Sequence, residues 1–350
     1  MTQAAILAAS GSPGTTTGFK NKIINGAMVI DQRNAGASTT PTASAFNLDR
    51  WNLAISQASK LSVQQTTTAP VGFTNSVLLT STSAYTVLSG DYFIFRTFVE
   101  GYNMADLNFG SVNAKTVTLS FWVRSSLTGN FGGSLRNASG NRSYPFLYAI
   151  NAANTWEQKS VTITGCPDGT WDTTNGRGFE LIFGMGVGST YLGTAGAWTT
   201  ADANSATGST NVVSTNGATW YMTGAQLEVG TTATNFDFRS YGTELSLCQR
   251  YYETMGFGLL GIANSATGIW AQIIYKVQKR ANPTIGLYTT TQTWSQFGVA
   301  DRTSSSVSIG DAARLNTWGS ITRIEGFSSI TTNAPLGCNT DTVFTLSAEL

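Results

Sequence analysis

The chain has 350 residues, long enough for two domains and at least one sizeable hydrophobic core, and 41% of them are hydrophobic. Only 11% are charged, against roughly 25% in an ordinary soluble domain; 20 basic and 19 acidic residues leave a formal charge of +1, with no cluster of Lys and Arg that could neutralise a nucleic-acid backbone. Histidine is absent, which removes Ser-His-Asp and Cys-His catalysis, His-ligated zinc and the usual general base near neutral pH.

Residues 1–18 are small, polar and interrupted by Gly and Pro, so they cannot build a core alone. They form either a flexible tail or an arm that orders on a neighbouring protein. The apolar run Ala4–Ala9 has no basic flank and is too short for a signal sequence or a membrane span, so export and membrane insertion are not expected.

From residue 19 to about 242 the missing charges are replaced by Thr, Ser, Asn and Gly, which suit the wet faces of strands and turns better than helix surfaces. Period-two segments recur: Trp51, Leu53 and Ile55 in 49–57; Val117, Leu119, Phe121 and Val123 in 116–124; Val161 and Ile163 in 157–163; Phe179, Leu181, Phe183 and Met185 in 179–187; Tyr221, Ala225, Leu227 and Val229 in 219–229. One buried and one wet face per strand is the pattern of antiparallel sheets, and many such strands predict an all-β jelly roll or β-sandwich. Two stretches, 165–178 and 188–217, lack this periodicity and read as long loops. A helix is expected over 243–254, with Leu245, Cys248 and Tyr252 on one stripe. Alternation returns in 271–279 and in 342–348, so 255–350 reads as a smaller C-terminal β domain. Cys166, Cys248 and Cys338 are too sparse and too far apart for a disulfide scaffold or a CxxC metal pair, and read as buried or partly buried free thiols.

Four residues stand out as candidates for ligand contact. Trp171 beside Asp172 in the first loop, and Tyr191 with Trp198 in the second, pair aromatic rings with amide and hydroxyl neighbours; that mixture matches the apolar C–H faces and hydroxyls of a sugar. Their alternative is to fold back on the sheets or pack against another subunit. Trp51, Trp122, Trp156 and Trp220 lie within strands and read as core or interface, with Trp294 and Trp318 undecided. Asp168, Asp172 and Glu180 could in principle supply a glycosidase pair, but Asp in Gly-rich turns serves backbone hydrogen bonding first. Asp31, Asp49 and Asp237 read as turn or salt-bridge partners, because nothing has the dense spacing of a calcium loop. The glycines of GMGVGSTYLG follow a strand without opening a helix, so no phosphate loop is expected. No catalytic residue, metal site or cofactor is expected.

The segments NKIINGAMVIDQRNAG (21–36), LDRWNL (48–53), TGAQLEVGTTATNFDFRSYGTELSLCQRYYE (223–253), KVQKRANPT (276–284) and SAEL (347–350) together resemble a group of bacteriophage tail-fibre and appendage proteins. The middle, through TLSFWVRSS (118–126), TWEQKSVTI (155–163) and TWYMTGAQLE (219–228), resembles carbohydrate-binding jelly rolls. The resemblance implies a virion structural protein, assembled in the host cytoplasm as a homotrimer, with residues 1–18 as the arm that joins other virion proteins and host-surface polysaccharide as the external partner. It implies that Phe236 and Phe238 close the sandwich and that Arg239 or Arg250 pairs with Glu244 or Glu228. In the related jelly rolls an Asp of the last strand ligates calcium; here Thr223 or Gly224 occupies that place, which argues against the ion. Two other readings stay open: a purely structural role, as a capsid-decorating head fibre or tail adaptor, and a glycan-degrading tailspike.

Overall fold

A computed structural model describes residues 19–350, apart from the side chains of 311–314; the arm expected over 1–18 lies outside the described residues. The chain is nearly all β, as its alternation predicts. The first part runs β1 (Ala45–Leu48), β2 (Trp51–Ile55), β3 (Leu61–Thr66), β4 (Ser76–Ser81), β5 (Tyr92–Glu100), β6 (Val117–Ser125), β7 (Gly129–Asn137), β8 (Ser143–Ile150), β9 (Glu157–Ile163), β10 (Arg177–Val187), the short β11 (Leu192–Gly193) and β12 (Ser205–Ala206), and β13 (Thr219–Val229). They form an antiparallel six-stranded sheet, β1-β2-β5-β10-β7-β8, and a five-stranded sheet, β3-β4-β13-β6-β9, with β11 and β12 paired in parallel.

The two larger sheets share one core. Phe93 and Phe95 of β5 and Leu181 and Phe183 of β10 meet Leu119 and Phe121 of β6 and Trp220 and Met222 of β13. Trp51 stacks on Phe95 with ring centroids 5.1 Å apart. At about 25 cal/mol per Å² of apolar surface removed from water, this burial is the main stabilising contribution. Trp51, Trp220 and Trp294 are fully buried, whereas Trp318 is 62% exposed.

The segment before β1 ties the sandwich together, which gives the resemblance motifs a physical role. Lys22 N–H donates to the Leu227 carbonyl at 2.9 Å, and Ala225 N–H to the Gly26 carbonyl at 2.9 Å, so residues 22–26 lie along the bulged stretch of β13. A Cβ at Gly26 would overlap the Ala225 carbonyl; only glycine lets the chains approach so closely. Asn21 Oδ1 accepts from Ile23 and Leu227 N–H, while Asn25 Nδ2 donates to the Ile30 and Asp49 carbonyls. Trp51 Nε1 donates to the Asn25 carbonyl at 3.1 Å. Asp31, Asp49 and Asp237 are the expected turn partners, accepting from the backbone of Asn34 and Gly36, of Gln32, and of Lys20 respectively. Thr223 is buried and bonds the Ala27 carbonyl, and Gly224 takes φ +63°, so this stretch of β13 is shaped by backbone packing.

The helix, α1, spans Tyr241–Gln249 and is displaced from the expected 243–254. Tyr252 and Glu253 instead open a strand, because Tyr252 pairs with Ser347 near the C-terminus. After α1 come β14 (Tyr252–Gly256), β15 (Leu260–Ala263), β16 (Gly268–Ile274), β17 (Thr284–Leu287), β18 (Gln292–Gln296), β19 (Ala300–Ser304), β20 (Ser308–Leu315), β21 (Gly319–Glu325), β22 (Pro335–Cys338) and β23 (Thr342–Ser347). They make a three-stranded sheet, β14-β23-β17, and a seven-stranded sheet, β19-β18-β22-β15-β16-β21-β20. The strand expected over 271–279 stops at Ile274, since Lys279 turns inward to pair with the fully buried Glu253 at 3.0 Å. A separate core forms here around Trp294, Ile324, Leu336 and Phe344. The final residues return to the sandwich, where Glu349 pairs with Arg33 at 2.6 Å and also with the buried Arg50. All three cysteines are buried free thiols.

Phe236 and Phe238 do pack together, edge to face at 4.8 Å, and both meet Phe73, although Phe238 stays 61% exposed. Arg239 pairs with Glu244 as expected, at 3.2 Å. Arg250, the alternative named for that pairing, goes elsewhere. It makes a two-pronged bond to Glu100, at 2.6 and 2.9 Å, because the C-cap of α1 lies beside the last residue of β5.

Candidate functional site

The four sequence candidates separate into two groups. Trp171 is 8% exposed and belongs to the main core, where its Nε1 donates to the Asp168 carbonyl at 3.0 Å. Trp198 packs edge-on to it at 5.6 Å, with Phe109 and Tyr144 completing the cluster, and donates to the Thr164 carbonyl at 2.7 Å. Trp171 is therefore too covered to lay a ring against a sugar, which corrects its expected exposure. The physical reason is apolar area: two indoles and a Phe in adjoining segments gain more by packing together than by facing water. Asp172 is a turn residue, its Oδ1 accepting from Thr174 N–H at 2.7 Å and from the Thr174 hydroxyl at 2.8 Å. Those bonds hold its carboxyl below the usual range. Arg142 likewise grips the exposed Asp168 at 2.7 and 2.9 Å, which lowers the Asp168 carboxyl and fixes the loop over Trp171.

Tyr191 lies elsewhere, on the outer face of the six-stranded sheet. Along β5, Phe93 and Phe95 point into the core, so Tyr92, Ile94 and Arg96 point out. Along β10 the same alternation turns Glu180, Ile182 and Gly184 outward. Residues 189–206 fold over one end of this face. Gly132 and Gly184 make that possible, since a Cβ at either would press on the Ser205 side chain. Tyr191 then meets Tyr92 edge-on at 5.8 Å over a small apolar floor of Ala54, Ile94, Ile182 and Val187. Between this cover and the sheet opens a groove of about 240 Å³ lined by Tyr92, Ile94, Arg96, Arg136, Tyr191, Asp202 and Asn204.

The polar side of the groove is organised by Glu180. This fully buried carboxylate receives Arg96 at 3.2 Å, Arg136 at 2.9 Å and Arg177 at 2.5 Å. A buried carboxylate without such partners would carry a large desolvation penalty. Arg136 also reaches Asp202 and, at 3.0 Å, Asn204. Neither tyrosine hydroxyl, nor Asn204 Nδ2, has a hydrogen-bond partner among the described residues. The groove thus offers two half-buried phenol rings, apolar floor and unspent donors, the mixture that suits a ring ligand with apolar faces and hydroxyl edges. Glu180 beneath the groove and Asp202 on its wall are both paired with arginines. Tyr191 was legible from sequence as an aromatic in a polar loop. Arg96 and Glu180 were not singled out as groove residues, although one charge inside an otherwise apolar run, as in YFIFRTFV and GFELIFGMG, is the signal that could have found them.

Other hollows differ in kind. One of about 290 Å³ beside residues 21–29 has its polar groups, Asn21, Asp237, Arg239 and Glu244, bonded to one another or to backbone. Another, of about 480 Å³ on the seven-stranded sheet, is lined mainly by apolar side chains such as Leu260, Ile262, Trp270 and Phe297. Among the described residues no group of three or more His, Cys, Asp or Glu side chains comes together as a metal site, and no helix is long and apolar enough to cross a membrane.

Scanned against protein-family models the chain matches none, and a search of curated proteins finds no match. Solved structures do show partial similarity. The enzymatically active domain of bacteriophage CBA120 tailspike protein 4 aligns over 60% of this chain and 22% of its own length, at 13% identity and TM-score 0.32. The family 11 carbohydrate-binding module from Clostridium thermocellum, solved with a mixed-linked β-1,3-1,4 tetrasaccharide, aligns over 55% of this chain and 97% of its own, at 10% identity and TM-score 0.29. The CBM22-1 xylan-binding domain of Paenibacillus barcinonensis Xyn10C aligns over 57% and 99%, at 9% identity and TM-score 0.27. Identities and TM-scores this low leave the function of this chain to be read from its own residues.

Proposed function

We propose that the protein is a non-enzymatic subunit of a bacteriophage fibre or appendage that contacts host-surface glycans through the groove on its six-stranded sheet. The observation that carries this reading is the pairing of Tyr92 and Tyr191 above an apolar floor with unspent polar donors beside them. The sequence resemblance to appendage proteins supports the virion setting, the homotrimer and attachment through residues 1–18. Single contacts of this size bind weakly, and several linked copies on one particle raise avidity by orders of magnitude. With every nearby carboxylate engaged by arginine or by its own turn, the groove holds sugar without cleaving it.

The test is a glycan array probed with purified protein and with Tyr191→Ala. Binding to at least one surface glycan, lost in the variant and accompanied by no cleavage products, is the expected result. An array without signal, signal unchanged by the substitution, or release of shorter sugars would each contradict the reading. A purely structural role has one observation in its favour: Leu260, Ile262, Ile274 and Phe297 on the seven-stranded sheet are all more than half exposed, and large exposed apolar patches mark contact surfaces. On that reading a neighbouring copy of the chain covers them, and Tyr191→Ala leaves phage adsorption intact.

A further inference from the structure

We propose that the groove selects acidic saccharides, seating a sugar carboxylate on the Arg96 guanidinium. This deepens the glycan-contact reading and rests on it. The basis is an imbalance of charge and of hydrogen-bond donors. Three guanidiniums, Arg96, Arg136 and Arg177, converge on one buried carboxylate, Glu180; counting Asp202 as well, three positive charges face two negative ones. Arg136 is spent, with Nε and Nη2 on Glu180 and Nη1 on Asp202 and Asn204. Arg177 closes on the far oxygen of Glu180 and lies over the Phe98 ring. Arg96 differs. Its Nε donates to Asn52 Oδ1 at 3.0 Å and its Nη1 to Glu180 at 3.2 Å, but its Nη2 has no acceptor among the described residues, and it lines the groove.

Of the three guanidiniums, Arg96 is the one that combines a place on the groove wall with a nitrogen that has no partner among the described residues. Burial, and then the neighbouring Arg136 and Arg177, hold Arg96 below the usual arginine value, so a further anion beside it is welcome. A carboxylate matches the planar fork of a guanidinium better than a hydroxyl does. Tyr92 and Tyr191 supply the rings against which the sugar body lies, and Asn204 Nδ2 a neutral donor. Asp202 is half exposed and would repel an anion, but Arg136 holds its charge, and the geometry puts the acid on the Arg96 side.

The experiment is calorimetric titration of the full chain with oligosaccharides of pectate, alginate, hyaluronate and polysialate, each against its carboxyl-reduced counterpart. At least one acid should bind about 10- to 100-fold tighter than its reduced form, the range expected of a charge-assisted hydrogen bond, and the preference should shrink in high salt. Arg96→Gln should abolish the preference while keeping residual affinity for the neutral sugar. Because that variant takes one partner from Glu180, the comparison of acid with reduced sugar on the unaltered chain stands as the primary measurement. Equal affinity for both forms, lost in Tyr191→Ala, would overturn the acidic preference and leave glycan contact in place. No binding of any sugar, acidic or neutral, would overturn both. A preference that survives in folded Arg96→Gln would overturn the assignment of the carboxylate to Arg96.

Discussion

Two long segments of this chain look alike on paper, yet each sets a key aromatic in a different surrounding. Both 165–178 and 188–217 are polar, Gly-rich and dotted with aromatics. In the first, Trp171 sinks into the core beside Phe109, under a lid fastened by Arg142 and Asp168. In the second, Trp198 joins that same cluster, whereas Tyr191 stays half-buried at the wall of an open groove. What separates them is the surface each segment lies on. The first meets the apolar edge of the sandwich core, which absorbs an indole; the second lies over a sheet face already occupied by the Glu180–arginine cluster, which cannot be buried deeper without desolvating charge. An aromatic in a polar loop becomes a contact residue where charge beside its apolar floor keeps that surface wet.

The comparison can be broken most easily at Trp171. Trp171→Ala should destabilise the sandwich by about 3–5 kcal/mol, the usual cost of deleting a buried large aromatic, while leaving sugar affinity unchanged; denaturant unfolding monitored by circular dichroism reads the first and calorimetry the second. Almost as large, Glu180→Gln strips the shared carboxylate from three arginines and should cost about 3 kcal/mol or more through uncompensated buried charge, measured in the same unfolding series. Below that comes a pH effect remote from both loops. Asp49 is fully buried, and desolvation raises its carboxyl from 3.8 to about 6 despite Arg33 and Gln32. Its folded pKa lies above its unfolded one, so the fold binds this proton more tightly. Stability from this group is therefore lowest above pH 6 and is regained as pH falls from 6 toward 4, by at most about 3 kcal/mol. Asp49→Asn should flatten that part of the stability–pH curve; an unchanged curve would show that the group titrates normally. Smallest is the effect of Tyr191→Ala on stability, expected within about 1 kcal/mol, in contrast to its loss of glycan binding. If Tyr191→Ala unfolds the protein and Trp171→Ala does not, the two loops have been read the wrong way round.

Much of the fold was legible because period-two alternation survives wherever one sheet face meets a core. The spans of β6, β9, β10 and β13 lie within two residues of those the sequence predicts. The turn roles of Asp31, Asp49 and Asp237 were legible for a local reason: short carboxylates bond nearby backbone. Features set by distant partners were not. Tyr252 leaves the helix because Ser347, 95 residues on, offers strand pairing, and Arg250 chooses Glu100 across 150 residues. The groove belongs to the same class, since Arg96, Glu180 and Tyr191 are brought together only by the order β5-β10-β7 and by glycines that admit residues 205–206 onto the sheet.

The most direct measurement is a crystal structure of the protein with its tightest-binding array oligosaccharide. The expected density is a sugar between Tyr92 and Tyr191, with its polar edge toward Arg96 and Asn204. Sugar density confined to any other surface, with this groove empty at saturating ligand, would contradict the proposal that the outer face of the six-stranded sheet is where this protein meets its target.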